Sequence, residues 1–229
     1  MILRLLPGLL LLMLFRGAVA ADPMTIKLTL EPDLRNGQRL YAICASCHLP
    51  EGWGSSDGAY PQIAGQHRQV LFLQLLHIRT GERDNPAMYP FVQERTLGKG
   101  YQPLVDLVSY ISRLPMHPRH QKGPWRDSRD EFKEGERLYQ ANCAQCHGKL
   151  GEGNNDDAIP MLRGQHFPYL MRQVGLIRGG LRKVNPVMTA ILGTLDEQQL
   201  EKVINYVSWL PMPKDKLAPS LDWRNTDFN

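Results

Sequence analysis

The chain has 229 residues, 42% of them hydrophobic and 22% charged, with a formal net charge of +4. That length accommodates one large domain or two small ones, and the near balance of charge gives no basic face of the kind nucleic-acid binding requires. All four cysteines fall into two short clusters.

Residues 1–20 begin Met-Ile-Leu-Arg, run apolar from Leu5 to Phe15 and end Ala18-Val19-Ala20, the small-x-small pattern of a cleaved secretory signal. Eleven apolar residues fall short of the roughly 20 a membrane-spanning helix needs. The expected location is therefore the periplasm, and an uncleaved anchor is the alternative. Losing Arg4 and Arg16 with this segment lowers the formal charge to +2.

Leu34 to Cys44 places Leu, Tyr and small residues three and four apart, the period of an amphipathic helix. It leads into Cys44-Ala45-Ser46-Cys47-His48. C-x-x-C-H is the pattern that holds a haem by two thioethers and one axial imidazole, because thiols one helical turn apart reach the vinyl groups while the histidine reaches the iron. A redox or zinc-binding C-x-x-C is the competing reading. The histidine directly after the second cysteine weighs against it.

Pro61 lies thirteen residues after His48, where its carbonyl can take the other ring N–H of a metal-bound histidine, and Ile63 can keep the ring dry. A second helix is expected over Val70 to Ile78 and a third over Gln102 to Leu114, stopped by Pro115. Between them Asn85-Pro86-Ala87-Met88 reads as a loop able to wrap the far face of the ring. Met88 is the expected sixth ligand. A thioether there raises the reduction potential and denies the site to small molecules.

The same unit is then written again. Gly37 to Tyr41 matches Gly135 to Tyr139, and the second C-x-x-C-H is Cys143-Ala144-Gln145-Cys146-His147. Residues 60–67 match 159–166, Asn85 to Met88 matches Asn185 to Met188, and Tyr110 to Met116 matches Tyr206 to Met212. By this correspondence His147 and Met188 are the second pair of iron ligands, with Pro160 and Leu162 behind them. Further helices are expected over Phe132 to Cys143, Tyr169 to Ile177 and Glu197 to Leu210, the last capped by Thr194 or Asp196. Met116 and Met212 also recur, but they follow the helix-ending prolines, where the chain should be leaving the pocket. His67 and His166 recur before helices and read as caps or surface hydrogen bonds. Arg83, Arg182 and Lys183 could equally neutralise haem propionates or be solvated charges.

The expected architecture is all-α, with domains at 24–116 and 129–213. A stiff, proline-rich linker joins them over 117–128, and a tail over 214–229 is expected to fray unless Trp223 or Phe228 pins it.

These motifs resemble the cytochrome c4 family of dihaem cytochromes c, each half being similar to a class I cytochrome c. The resemblance covers about residues 34–212 and rests on the two C-x-x-C-H motifs, the Gly-x-x-x-Tyr helices, the methionine segments and Tyr110 and Tyr206. It implies two covalently bound haem c groups and close helix crossings at Gly37 and Gly135. It also implies a pseudo-twofold arrangement with propionates near the interface. The implied activity is single-electron carriage, soluble or loosely attached to the membrane surface, from a quinol-oxidising complex or a dehydrogenase to a terminal oxidase or reductase. A dihaem peroxidase, a thiosulfate-oxidising enzyme or the cytochrome subunit of a larger dehydrogenase is the alternative. Leu49 departs from the family pattern, which has glycine after the histidine, as at Gly148.

Overall fold

The computed structural model describes residues 28–126 and 128–228, so the expected signal segment lies outside the described residues. The first half contains α1 (Leu34–His48), α2 (Arg68–Thr80), α3 (Tyr89–Val92), α4 (Glu94–Leu97) and α5 (Gln102–Ile111). The second contains α6 (Arg129–Asn142), α7 (Ala144–His147), α8 (Phe167–Arg178), α9 (Pro186–Thr194) and α10 (Glu197–Ser208). Among the described residues extended pairing is limited to two isolated bridges.

Each half is built on a crossing of its first and last long helices. A Cβ on Gly37 would sit 2.2 Å from Asp106 O, and one on Gly135 would sit 2.2 Å from Lys202 O, so only glycine lets the backbones approach this closely. One turn later Tyr41 and Tyr139 are fully buried. Their hydroxyls donate to Leu49 O and Gly148 O, both at 2.7 Å, which ties each crossing to the residue after its C-x-x-C-H histidine. Tyr41 tilts against Tyr110 with ring centroids 5.5 Å apart, and Tyr139 against Tyr206 at 5.6 Å. Separate apolar clusters centred on Phe72, Leu104 and Val108 and on Leu138, Val203 and Val207 fill the two halves.

The helices differ from the expected ones in identifiable ways. α1 runs through the whole first motif, whereas α6 ends at Asn142 and the second motif starts afresh as α7. α5 and α10 stop three and two residues short of the expected ends, and α10 opens on a capping box formed by Asp196 and Gln199. The Asn-Pro-x-Met segments are not plain loops. Met88 sits in a turn just before α3, while Met188 lies inside the first turn of α9, whose N-terminus Asn185 caps.

Neither connecting segment is free of the core. Residues 117–126 are pinned to α10: Gly123 N–H donates to Ser208 Oγ at 2.9 Å, and Trp125 N–H to Asn205 Oδ1 at 2.9 Å. His120 is buried there, 4% exposed, with Nε2 2.7 Å from Ser208 O. The tail is ordered against the first half, contrary to the expected fraying. Met116 N–H donates to Lys216 O and Ala218 N–H to Met116 O. Trp223 meets Trp53, and Phe228 packs edge-on to Tyr41. Buried Asn225 donates to Pro50 O at 2.7 Å and to Tyr110 Oη at 2.9 Å.

Candidate haem sites and the seam between the halves

His48 is 6% exposed and His147 7%. Nδ1 of His48 lies 3.0 Å from Pro61 O, and Nδ1 of His147 lies 3.1 Å from Pro160 O. A carbonyl can only accept, so each ring carries its proton on Nδ1 and presents Nε2 as a bare donor for a metal. Burial lowers the pKa of both rings, which keeps them neutral. Two imidazoles are thus fixed in the same tautomer by the same device.

The sulfurs fit covalent attachment better than a thiolate metal site. Burial pushes the Cys44 thiol up to about 12 and the Cys143 thiol up to about 11, each reinforced by its partner cysteine. Without a cation beside them both thiols stay protonated at neutral pH. Among the described residues, moreover, no group of three His, Cys, Asp or Glu side chains is placed to hold a metal ion. Cys44, Cys143, Met88 and Met188 all line the edges of the apolar clusters, as do Ile63 and Leu162. Cys47 is half-buried and Cys146 exposed. Met88 N–H is held by Asn85 Oδ1 at 3.2 Å. Met116 and Met212 lie elsewhere, crowding Gly65 and Gly164 at the seam between the halves.

That seam is where sequence reading fell short. His67 and His166 occupy helix N-cap positions, but their side chains cap nothing. Instead each crosses to the other half: His67 Nε2 is 2.7 Å from Glu152 O, and His166 Nε2 is 2.8 Å from Trp53 O. The preceding glutamines cross as well. Gln165 Oε1 accepts from Gln62 N–H at 3.0 Å while its Nε2 donates to Gln62 O at 2.8 Å. Gln66 does the same to Met161, at 3.0 and 2.9 Å. Further along, Arg83 and Arg182 share the side-chain carbonyls of Gln74 and Gln173. Among the described residues no carboxylate is within ion-pair distance of either arginine. Burial first, and Arg83 second, pull Arg182 down to about 10. The recurrence of Gly-Gln-His in both units was the available signal. It marked an important position without saying that its partner lay about 100 residues away.

Residues 130–207 match the family model described as cytochrome c oxidase, cbb3-type, subunit III. Cytochrome c4 of Azotobacter vinelandii is 28% identical over 197 residues, covering 78% of this chain and 89% of that protein. The crystal structure of reduced recombinant cytochrome c4 from Pseudomonas stutzeri superposes with a TM-score of 0.66 at 25% identity, over 79% of this chain and all of that one. The chain is a dihaem cytochrome c4-like protein. Its fold is all-α, two class I cytochrome c domains in tandem, and it carries two covalently bound haem c groups. As a dihaem cytochrome it transfers electrons. A further relative, the thiosulfate dehydrogenase electron acceptor of Stutzerimonas stutzeri, is 26% identical over 207 residues, 81% of this chain and 91% of that protein.

Proposed function

We propose that this cytochrome c4-like protein is a periplasmic carrier that takes single electrons from a quinol-oxidising complex or a dehydrogenase and delivers them to a terminal oxidase or reductase. Cys44 and Cys47 anchor one haem and Cys143 and Cys146 the other. His48 with Met88, and His147 with Met188, ligate the two irons. The domains span 24–116 and 129–213, and residues 1–20 are removed on export.

The observation that carries the reading is the pair of matched histidines, each with Nδ1 spent on a proline carbonyl and Nε2 left for iron. The haem supplies the one-electron couple. The chain holds each imidazole in one orientation and raises its basicity through the Pro61 and Pro160 carbonyls. Ile63 and Leu162 keep water from the rings, and a methionine in each half fills the sixth position. Arg83 and Arg182, which lack carboxylate partners among the described residues, are the candidates for neutralising propionates. A relative named as a dehydrogenase's electron acceptor supports the dehydrogenase as a donor.

The enzymatic alternative, peroxide or thiosulfate turnover, needs an open or differently ligated iron. Met88→Ala and Met188→Ala test both readings. Each is expected to remove half of the charge-transfer band of Met-ligated ferric haem and to open one iron to carbon monoxide. An unchanged band, or wild-type turnover of peroxide or thiosulfate, refutes the carrier assignment.

A further inference from the structure

The glutamines at the seam do more than hold the halves together. Pro61 O, which receives His48 Nδ1–H, and Gln62 N–H belong to one peptide group, and that N–H is bound by Gln165 from the other half. Likewise Pro160 O receives His147 Nδ1–H, and the N–H of the same peptide, on Met161, is bound by Gln66. Gln165 and Gln62 are buried, so the bond between Gln62 N–H and Gln165 Oε1 does not compete with bulk water. An amide whose N–H is engaged carries more negative charge on its oxygen, and hydrogen bonds in such chains strengthen one another by about 10–30% per bond. A stronger acceptor at Nδ1 makes the imidazole a better donor to iron.

We propose that Gln66 and Gln165 are positioning residues that tune the opposite domain's haem: Gln165 acts on the iron bound by His48, and Gln66 on the iron bound by His147. Each acts through the peptide that accepts the axial histidine's proton. The reduction potential of each centre therefore depends on the seam being closed. The inference rests on His48 and His147 being the axial ligands.

The test is a redox titration of the holoprotein with Gln165→Met and Gln66→Met, which replace the amide by a thioether of similar length. The two waves are first assigned with Met88→His and Met188→His, each of which should send one wave to much lower potential. Gln165→Met is expected to favour the reduced form of the His48 haem about threefold at fixed potential, about 28 mV at 59 mV per tenfold, and to leave the other wave in place. Gln66→Met should do the converse. His67→Leu removes the cross-seam side-chain bond to Glu152 O but keeps the backbone N–H that His67 donates to Gln66 Oε1, so both relays stay intact and neither wave should move. A shift in the variant's own domain, an equal shift of both waves, or no shift overturns the proposal. If Gln165→Met yields no holoprotein, Gln66→Met decides alone. Failure of the ligand assignment would show earlier and separately: Met→His variants that displace neither wave sink the methionine assignment, and His48→Ala or His147→Ala holoprotein that keeps both waves sinks the histidine assignment.

Discussion

Acid should weaken this protein through a histidine that is not proposed to touch iron. His120 Nε2–H donates to Ser208 O, while Nδ1 is buried without a partner. A second proton would place an unpaired N–H and a charge in that site. Burial is the largest cause holding His120 down at about 4, and Lys122, His166 and His117 push the same way. Because the folded value lies below the unfolded value of about 6.5, the unfolded chain binds more protons throughout the window between them. The stability due to neutral His120 is complete above about pH 6.5 and is lost progressively as the pH falls towards 4. At pH 4.5 the loss is on the order of 2.5 kcal/mol, from about 1.4 kcal/mol per unit. For a protein of this size that lowers the melting temperature by about 5–10 °C. His120→Gln can keep a donor for Ser208 O and cannot titrate. Melting temperatures of the holoprotein followed by circular dichroism from pH 7.5 to 4.5 should fall less steeply in the variant, by that margin. Parallel curves would refute the argument, since they would place the acid sensitivity in other groups, such as the half-buried His67 and buried His166 rings.

Other substitutions read out the backbone and the tail. Leu49 holds φ 67° and ψ 158°, a region nearly reserved for glycine, where Gly148 stands in the other half. Leu49→Gly should release about 1–3 kcal/mol of strain against about 1 kcal/mol of added chain entropy, giving a higher urea midpoint. Gly37→Ala drives a methyl into Asp106 O at 2.2 Å, where van der Waals contact needs about 1 Å more. It should destabilise by about 1–3 kcal/mol despite the better helix propensity, with Gly135→Ala matching it in thermal denaturation. Asn225→Ala strips Pro50 O and Tyr110 Oη of their donor and should cost about 1–3 kcal/mol. Limited proteolysis should then cut the tail faster.

What could be read in the sequence was what recurs locally. The C-x-x-C-H motifs, the prolines thirteen residues on and the three main helices of each unit follow from spacing and period, because those forces act within one turn or one short loop. The seam was not legible, since Gln66, Gln165, His67 and His166 find their partners in the opposite unit, and a single chain carries no periodic trace of such pairings. Asp106 escaped notice for the same reason. Its buried carboxylate accepts from Asp33 N–H, Asn36 and Gln102, joining α1 to α5 with no motif to announce it. The strained backbone at Leu49 was hidden too, although the missing glycine had flagged the position. The tail was legible only through Trp223 and Phe228, which do pin it, because a few well-placed aromatic and amide side chains replace the apolar period on which a sequence argument depends.

The ordered tail has a topological consequence. The backbone leaves the first domain at the 117–128 segment, builds the second, and returns at residues 216–228 to dock beside Trp53 and Tyr110. The second domain is thereby carried on two tethers rooted in the same neighbour, as though inserted into it. A molecule whose halves come apart at the seam stays doubly leashed, so the encounter that rebuilds it is confined to a small volume and recurs quickly.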